Sequence, residues 1–234
     1  MKITFLHHSS YALETEKALL LFDITEKSLP LIPKTEKPTL FFTTHGHGDH
    51  FTAQIFEEEA AHFFVGISTP APKRGDITIL HPGETLRTSG DFCDEELLIS
   101  AFGSTDEGVS LLLTLDGKTI YYSGDLAYWV WPRYDETDIT NMEREYTTEV
   151  EKARQALEGH PADVAFVVVD PRLGEDYRRG VAIALEKLQP RDFFSLHTWG
   201  KYSMTTRVQE DFQKDYPETT FHPLTASGDS FLLP

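Results

Sequence analysis

The chain has 234 residues, 40% hydrophobic and 25% charged, an ordinary globular composition with length enough for a sizeable core. Its 21 basic against 38 acidic side chains leave a formal charge of −17, a surface that repels phosphate backbones and sets nucleic acid aside as a partner. Cys93 is the single cysteine, so no intrachain disulfide forms; with no apolar run of about 20 residues and no signal-like start, a cytoplasmic protein off the membrane is expected.

The first half reads as strands. Residues 2–6, 11–14 and 18–23 are short, apolar or β-branched, and separated by turn signals. Residues 28–38 hold Pro30, Pro33 and Pro38 and read as a loop. Residues 39–44 form a buried-looking strand that runs into His45-Gly46-His47-Gly48-Asp49-His50, after which 51–61 reads as a helix. Strands are predicted at 62–67, 77–80, 97–102, 109–115 and 119–123. In the second half, 142–157 is helical in composition, and 164–169 is a continuous apolar run of the kind found in strands covered on both faces. Residues 180–188 read as helix, 193–196 as strand, 205–215 as helix and 230–233 as a final strand. No repeat or linker divides the chain. One domain over residues 1–234 is therefore expected, with two sheets packed together and helices outside.

The hexapeptide at 45–50 carries the strongest chemical signal. Three imidazoles and a carboxylate within six residues supply the nitrogen and oxygen donors that Zn²⁺ or Fe takes. Placed where a buried strand ends, such side chains can converge on one point, and Gly46 and Gly48 are expected to ease the turn.

This hexapeptide matches the H-x-H-x-D-H signature of the metallo-β-lactamase superfamily, and the chain resembles that superfamily in motif order throughout. Tyr121-Tyr122-Ser123-Gly124-Asp125 is similar to the strand end whose aspartate bridges two metals. Phe193-Phe194-Ser195-Leu196-His197 is similar to the one that supplies a late histidine, and Leu20-Leu21-Phe22-Asp23 to the strand whose aspartate supports a metal histidine from behind. The resemblance implies an α/β, four-layer αββα sandwich. It implies a first metal position with His45 and His47, and a second with Asp49, His50 and His197, bridged by Asp125. Within the superfamily, Phe5-Leu6-His7-His8-Ser9-Ser10, Asp170-Pro171-Arg172-Leu173-Gly174 and Gly228-Asp229-Ser230-Phe231 resemble the L-ascorbate-6-phosphate lactonase-like branch. His8 then reads either as a buried support for a ligand or as a catalytic residue contacting substrate. Asp170 reads either as a cap or turn residue or as part of the site.

One departure stands out. The superfamily takes a third first-position histidine from a mid-chain loop, and here that loop, Gly103-Ser104-Thr105-Asp106-Glu107-Gly108, has none. Asp106 is the candidate substitute, against the reading of an exposed turn carboxylate. The implied activity is hydrolysis of a small lactone or ester-like metabolite by a hydroxide generated at the metal and oriented by Asp49. Zn²⁺ is expected, in one or two ions, with Mn²⁺ or Fe compatible. A phosphodiesterase and a metal protein without turnover are the alternatives. Tyr128, Trp129, Trp131, Tyr134 and the 28–38 loop are expected to wall the cleft. Arg172 is a candidate for binding an anionic group, whereas Arg178 and Arg179 read better as surface charge at a helix start. Cys93 has no local base and does not read as a nucleophile, and the acidic runs at 57–59 and 94–96 read as solvated faces.

Overall fold

In the first sheet, buried side chains alternate between two separate apolar clusters. Tyr11, Leu13, Leu20, Phe22, Leu40, Phe42 and Phe64 face one cluster, while Ala12, Leu19, Leu21, Phe41, Phe63 and Val65 face the other. The period of two turns successive strand residues to opposite faces, so uninterrupted apolar runs such as Leu19–Phe22 require cover on both sides. The structure is a computed structural model and describes residues 1–89 and 96–234; Cys93, Asp94 and Glu95 lie outside the described residues.

The strands of the first half are β1 (Lys2–His7), β2 (Ser10–Glu14), β3 (Leu19–Phe22), β4 (Thr39–Thr43), β5 (Ala61–Gly66) and β6 (Ile77–Leu80), then β7 (Thr85–Ser89), β8 (Glu96–Phe102), β9 (Ser110–Leu115) and β10 (Lys118–Tyr122). Thereafter helices alternate with strands: α1 (Glu136–Ala156), β11 (Val164–Val168), α2 (Tyr177–Leu188), β12 (Asp192–Leu196), α3 (Ser203–Phe212), β13 (Thr220–Phe221) and β14 (Ser230–Leu232). Among the described residues the sheets run β14-β1-β2-β3-β4-β5-β6 and β13-β12-β11-β10-β9-β8-β7, both mixed. The parallel pairs β10–β11, β11–β12 and β12–β13 need crossovers, and α1, α2 and α3 provide them. Asp135 starts α1 with a reciprocal capping box to Asp138.

Aromatic rings join the two sheets. Phe22 stacks on Tyr122 at 4.7 Å, and Tyr11 meets Phe166 at 4.7 Å. The hydroxyls of these tyrosines donate across the interface, Tyr11 to Ser195 O at 2.8 Å and Tyr122 to Ser9 O at 2.5 Å, so their burial leaves no hydroxyl unpaired. This is the metallo-β-lactamase fold; β7 and β13 are strands not expected from the sequence, and one expected helix does not form. Residues 51–61 do not form an α-helix; a 3-10 turn at Ala53–Glu57 buries Ile55 against the outer face of the first sheet. The stretch combines the β-branched Thr52 and Ile55 with Glu57, Glu58 and Glu59, and offers too short an apolar face to hold a full helix. α1 and α2 pack on the second sheet and on each other.

Candidate metal centre

The strand ends of both sheets deliver the site to one rim of the sandwich. β4 leads into Thr44 and His45, β3 into Asp23, β10 into Asp125 and β12 into His197, while His8 sits in the turn between β1 and β2. The backbone is held there in unusual conformations: His8, Asp23, His197 and Trp199 all have positive φ, at 53°, 45°, 63° and 51°. Non-glycine residues adopt this region only where the surroundings over-determine it, and such positions gather at functional sites. Close packing secures His45. A Cβ on Gly108, itself at φ 76°, would fall 2.1 Å from Thr44 O and 2.6 Å from the His45 Cβ. Of the hexapeptide glycines, Gly46 avoids a Cβ clash as expected, whereas Gly48 does not need to. Neither has a positive φ; Gly46 is small because Pro70 and Ser68 lie against it, and Gly48 has open space around it.

Two buried carboxylates orient two of the imidazoles. Asp23 accepts from Thr44 N at 2.7 Å, from the Thr44 hydroxyl at 2.9 Å and from Tyr122 OH at 3.1 Å, and its Oδ2 accepts a hydrogen bond from His50 Nδ1–H at 2.7 Å. Asp170 accepts from Arg172 N, capping the turn at Pro171–Asp176, and takes the His197 Nδ1 proton at 2.8 Å. Both readings of Asp170 therefore hold together. Since an ionised carboxylate only accepts, each Nδ1 is the protonated nitrogen and each Nε2 faces the cleft.

Those facing atoms have no hydrogen-bond partner. His8 Nε2, His45 Nε2, His50 Nε2, His197 Nε2 and Asp125 Oδ1 are all buried and unsatisfied. They are close together all the same. Asp125 Oδ1 lies 2.9 Å from His50 Nε2 and 3.4 Å from His197 Nε2, Asp125 Oδ2 lies 3.5 Å from His45 Nε2, and Asp49 Oδ2 lies 3.6 Å from both His8 and His197. Donors about 2.0–2.2 Å from a shared Zn²⁺-like ion stand roughly 3–3.5 Å apart, so these separations match the edges of a coordination polyhedron. Three groups of donors have their ligand atoms within 4.8 Å of one another: His8, Asp49, His50 and His197; His45, His50 and Asp125; and His47, Asp106 and Asp125. The residues present fit a metal centre.

The charge balance agrees. Burial alone would suppress the charge on His50, but Asp125 and Asp23 carry its pKa up to about 10. Burial opposes the charge on Asp125, yet His50, His197 and His45 draw it well below the carboxylate range. Contacts from His197 and His8 pull Asp49 down in the same way. The carboxylates thus demand a cation at this spot, and a proton on His50 supplies it when no metal does.

The structure brings Asp106 within reach of His47 and Asp125, as the sequence suggested. It also adds Glu107, whose Oε2 lies 2.9 Å from His47 Nε2. Only its place in the histidine-less loop could have signalled it. A cleft of about 370 Å³ opens over the centre between His47, Asp49, Trp129, Trp131, Arg172 and Trp199. Arg172 lies over Trp131 and Trp199, 5.4 and 4.7 Å from their rings, and pairs with Asp170. Two expectations need correction, and one wall residue was not foreseen. Tyr128 is buried away from the cleft, near Glu143 and Arg179; the proline-rich loop lines a separate hollow on the outer face of the first sheet; and Arg133 joins the cleft wall. Arg178 binds Asp211 and Glu175 on the surface, as expected. His222 pairs with Asp192 and stacks on Phe194, a structural role.

Comparison with known proteins agrees with this fold. Residues 2–133 match the family model described as the beta-lactamase superfamily domain. The chain belongs to this family. A UPF0173 metal-dependent hydrolase of Bacillus velezensis is 30% identical over 159 residues, a match covering 54% of this chain and 64% of that relative, hence less than two thirds of its length. Another UPF0173 metal-dependent hydrolase, from Archaeoglobus fulgidus, is 25% identical over 236 residues, covering 92% of this chain and 90% of the relative. The family fold recurs in the metallo-beta-lactamase fold protein YhfI of Bacillus subtilis, with a TM-score of 0.57 at 13% identity over 98% of both chains. Among the described residues no helix is long and apolar enough to cross a membrane.

Proposed function

We propose that this family member is a metal-dependent hydrolase of a small lactone or ester-like metabolite, working in the cytoplasm. One observation carries the reading: four buried imidazole nitrogens and a carboxylate oxygen converge without satisfying one another. Buried donors left without a partner cost about 1–3 kcal/mol each, which a bound cation repays. The relatives described as metal-dependent hydrolases support the same reaction class.

In this reading His45, His47 and Asp106 would hold one ion, Asp49, His50 and His197 a second, and Asp125 would be shared between them. The donor set suits Zn²⁺, and Mn²⁺ or Fe as well. Bound there, such ions lower the pKa of water to about 7 and polarise a substrate oxygen. The protein's own contribution is position. Asp49 has a third of its side chain exposed at the cleft floor, where it would hold the ion and orient the attacking water through a hydrogen bond. Trp129, Trp131 and Trp199 shape a water-poor wall, and Arg172 and Arg133 place two guanidinium groups where an anionic substituent can dock. A cleft of this size takes a metabolite, and the net charge of −17 disfavours a polynucleotide.

The test is elemental analysis of protein purified without added metal, followed by a turnover screen over lactones, carboxylic esters and phosphodiesters. One or two ions per chain and metal-dependent cleavage of a lactone or ester are expected. Metal uptake with cleavage of phosphodiesters alone, or with no turnover, would replace the reading with one of the two alternatives.

A further inference from the structure

His8 is set apart from the residues around it by three features. Its side chain is 97% buried, 3% remaining exposed, yet Nε2 has no hydrogen-bond partner. Its backbone is held at φ 53°, in the turn where the register of β1 against β2 shifts between Phe5 and His7. That conformation swings the ring under the centre, 4.3 Å from the His197 ring and 5.8 Å from the His50 ring. An imidazole kept merely for packing would be expected to satisfy its buried nitrogen. Here Nε2 instead lies 3.6 Å from Asp49 Oδ2, the same separation that His197 Nε2 keeps from that oxygen. His8 and His197 are thus placed alike around one carboxylate oxygen, and the donors of His8, Asp49, His50 and His197 lie within 4.8 Å of one another.

We infer that His8 is a metal ligand, the fifth protein donor of the second position beside Asp49, His50, His197 and the shared Asp125. The inference rests on the metal-centre reading above and deepens it. Four donors complete a tetrahedron, whereas five leave that geometry. The second position is then enclosed by protein and favours an ion that accepts five or six ligands. The first position, with His47 and Asp106 exposed, keeps the room for substrate.

Titration of metal-free protein with Co²⁺ tests this by affinity and visible spectrum, neither of which requires turnover. His8→Gly is the informative variant, because glycine takes positive φ without strain and the imidazole leaves a vacancy. His8→Asn, which also tolerates the left-handed region, is the second arm if the glycine variant folds poorly. Loss of the ligand should weaken one Co²⁺ equivalent by at least about 10–100-fold, the loss typical when even a ligand's supporting partner is removed. The visible bands should intensify several-fold as five-coordinate Co²⁺ becomes four-coordinate. Added imidazole should reverse both changes in His8→Gly. Wild-type affinity and spectrum in a folded variant, or a loss that imidazole leaves untouched, would overturn the inference. A wild-type protein that takes up no Co²⁺ would overturn the metal reading itself, an outcome distinct from failure of the His8 assignment alone.

Discussion

Asp170 Oδ2 takes the His197 Nδ1 proton at 2.8 Å and, with the same oxygen, accepts from Trp199 Nε1 at 3.0 Å and from Arg172. One fully buried carboxylate therefore ties a candidate metal ligand to two residues of the cleft wall. Replacing it as Asp170→Asn keeps the shape and removes the charge that fixes the His197 tautomer. Metal affinity should fall about 10–100-fold while the circular dichroism spectrum stays unchanged. Competition with a chromophoric chelator measures it, and an unaltered affinity would show that His197 needs no such support.

Asp125 faces His45 through one oxygen and His50 and His197 through the other. Asp125→Ala should therefore strip both ions, whereas His45→Ala should mainly cost the first. Metal content per chain after dialysis separates the two cases. Wild-type content in both variants would mean the donors are assigned wrongly.

The two positions should differ in affinity, with that of Asp49, His50, Asp125 and His197 the tighter, because its donors are more numerous and better buried. Asp106 and Glu107 both approach His47 from the loop that lacks a histidine. The pair of changes Asp106→Ala and Glu107→Ala should weaken the looser equivalent and leave the tighter one as it was. Calorimetric titration resolves the two; equal, tight sites in the wild type would count against the ranking.

In metal-free protein the raised His50 pKa has a definite sign. The folded value is about 10 against an ordinary 6.5, so the stabilisation is complete below pH 6.5 and is lost as pH rises through 10. Metal-free protein should therefore show a Tm that falls between about pH 6.5 and about 10, and metal binding at pH 7.5 should release a proton from His50. Scanning calorimetry and titration in buffers of different ionisation enthalpy check the two parts. A flat alkaline Tm would mean that His50 is neutral in the folded chain.

Gly108→Ala and Gly48→Ala make a paired test of packing around the hexapeptide. A methyl at 108 meets Thr44 O at 2.1 Å on a backbone of φ 76°, whereas one at 48 meets nothing within 4 Å. Overpacking and left-handed strain together cost about 2–4 kcal/mol, which for a chain of this size lowers Tm by roughly 5–15 °C. Gly48→Ala should leave Tm within about 2 °C of the wild type. Thermal melts of the two variants decide.

What could be read directly from the sequence was local in origin. The ligands at 45–50 lie within six residues, and runs such as Leu19–Phe22 and Val164–Val168 state by composition alone that both faces of a strand are covered. Asp23, Asp125 and His197 were legible because each ends an apolar strand in a recognisable order. The course of residues 51–61, the separate hollow beneath the 28–38 loop and the inward turn of Tyr128 were not, since each depends on which neighbour competes for a short apolar face. His8 and Glu107 show the same limit at the site. In the chain His8 is a candidate whose role stays open, and Glu107 is a lone glutamate in a loop with no chemical signal of its own. Their roles are fixed only by sheet packing, which brings His8 to 3.6 Å from Asp49 and Glu107 to 2.9 Å from His47, because metal coordination is decided by where donor atoms converge in space.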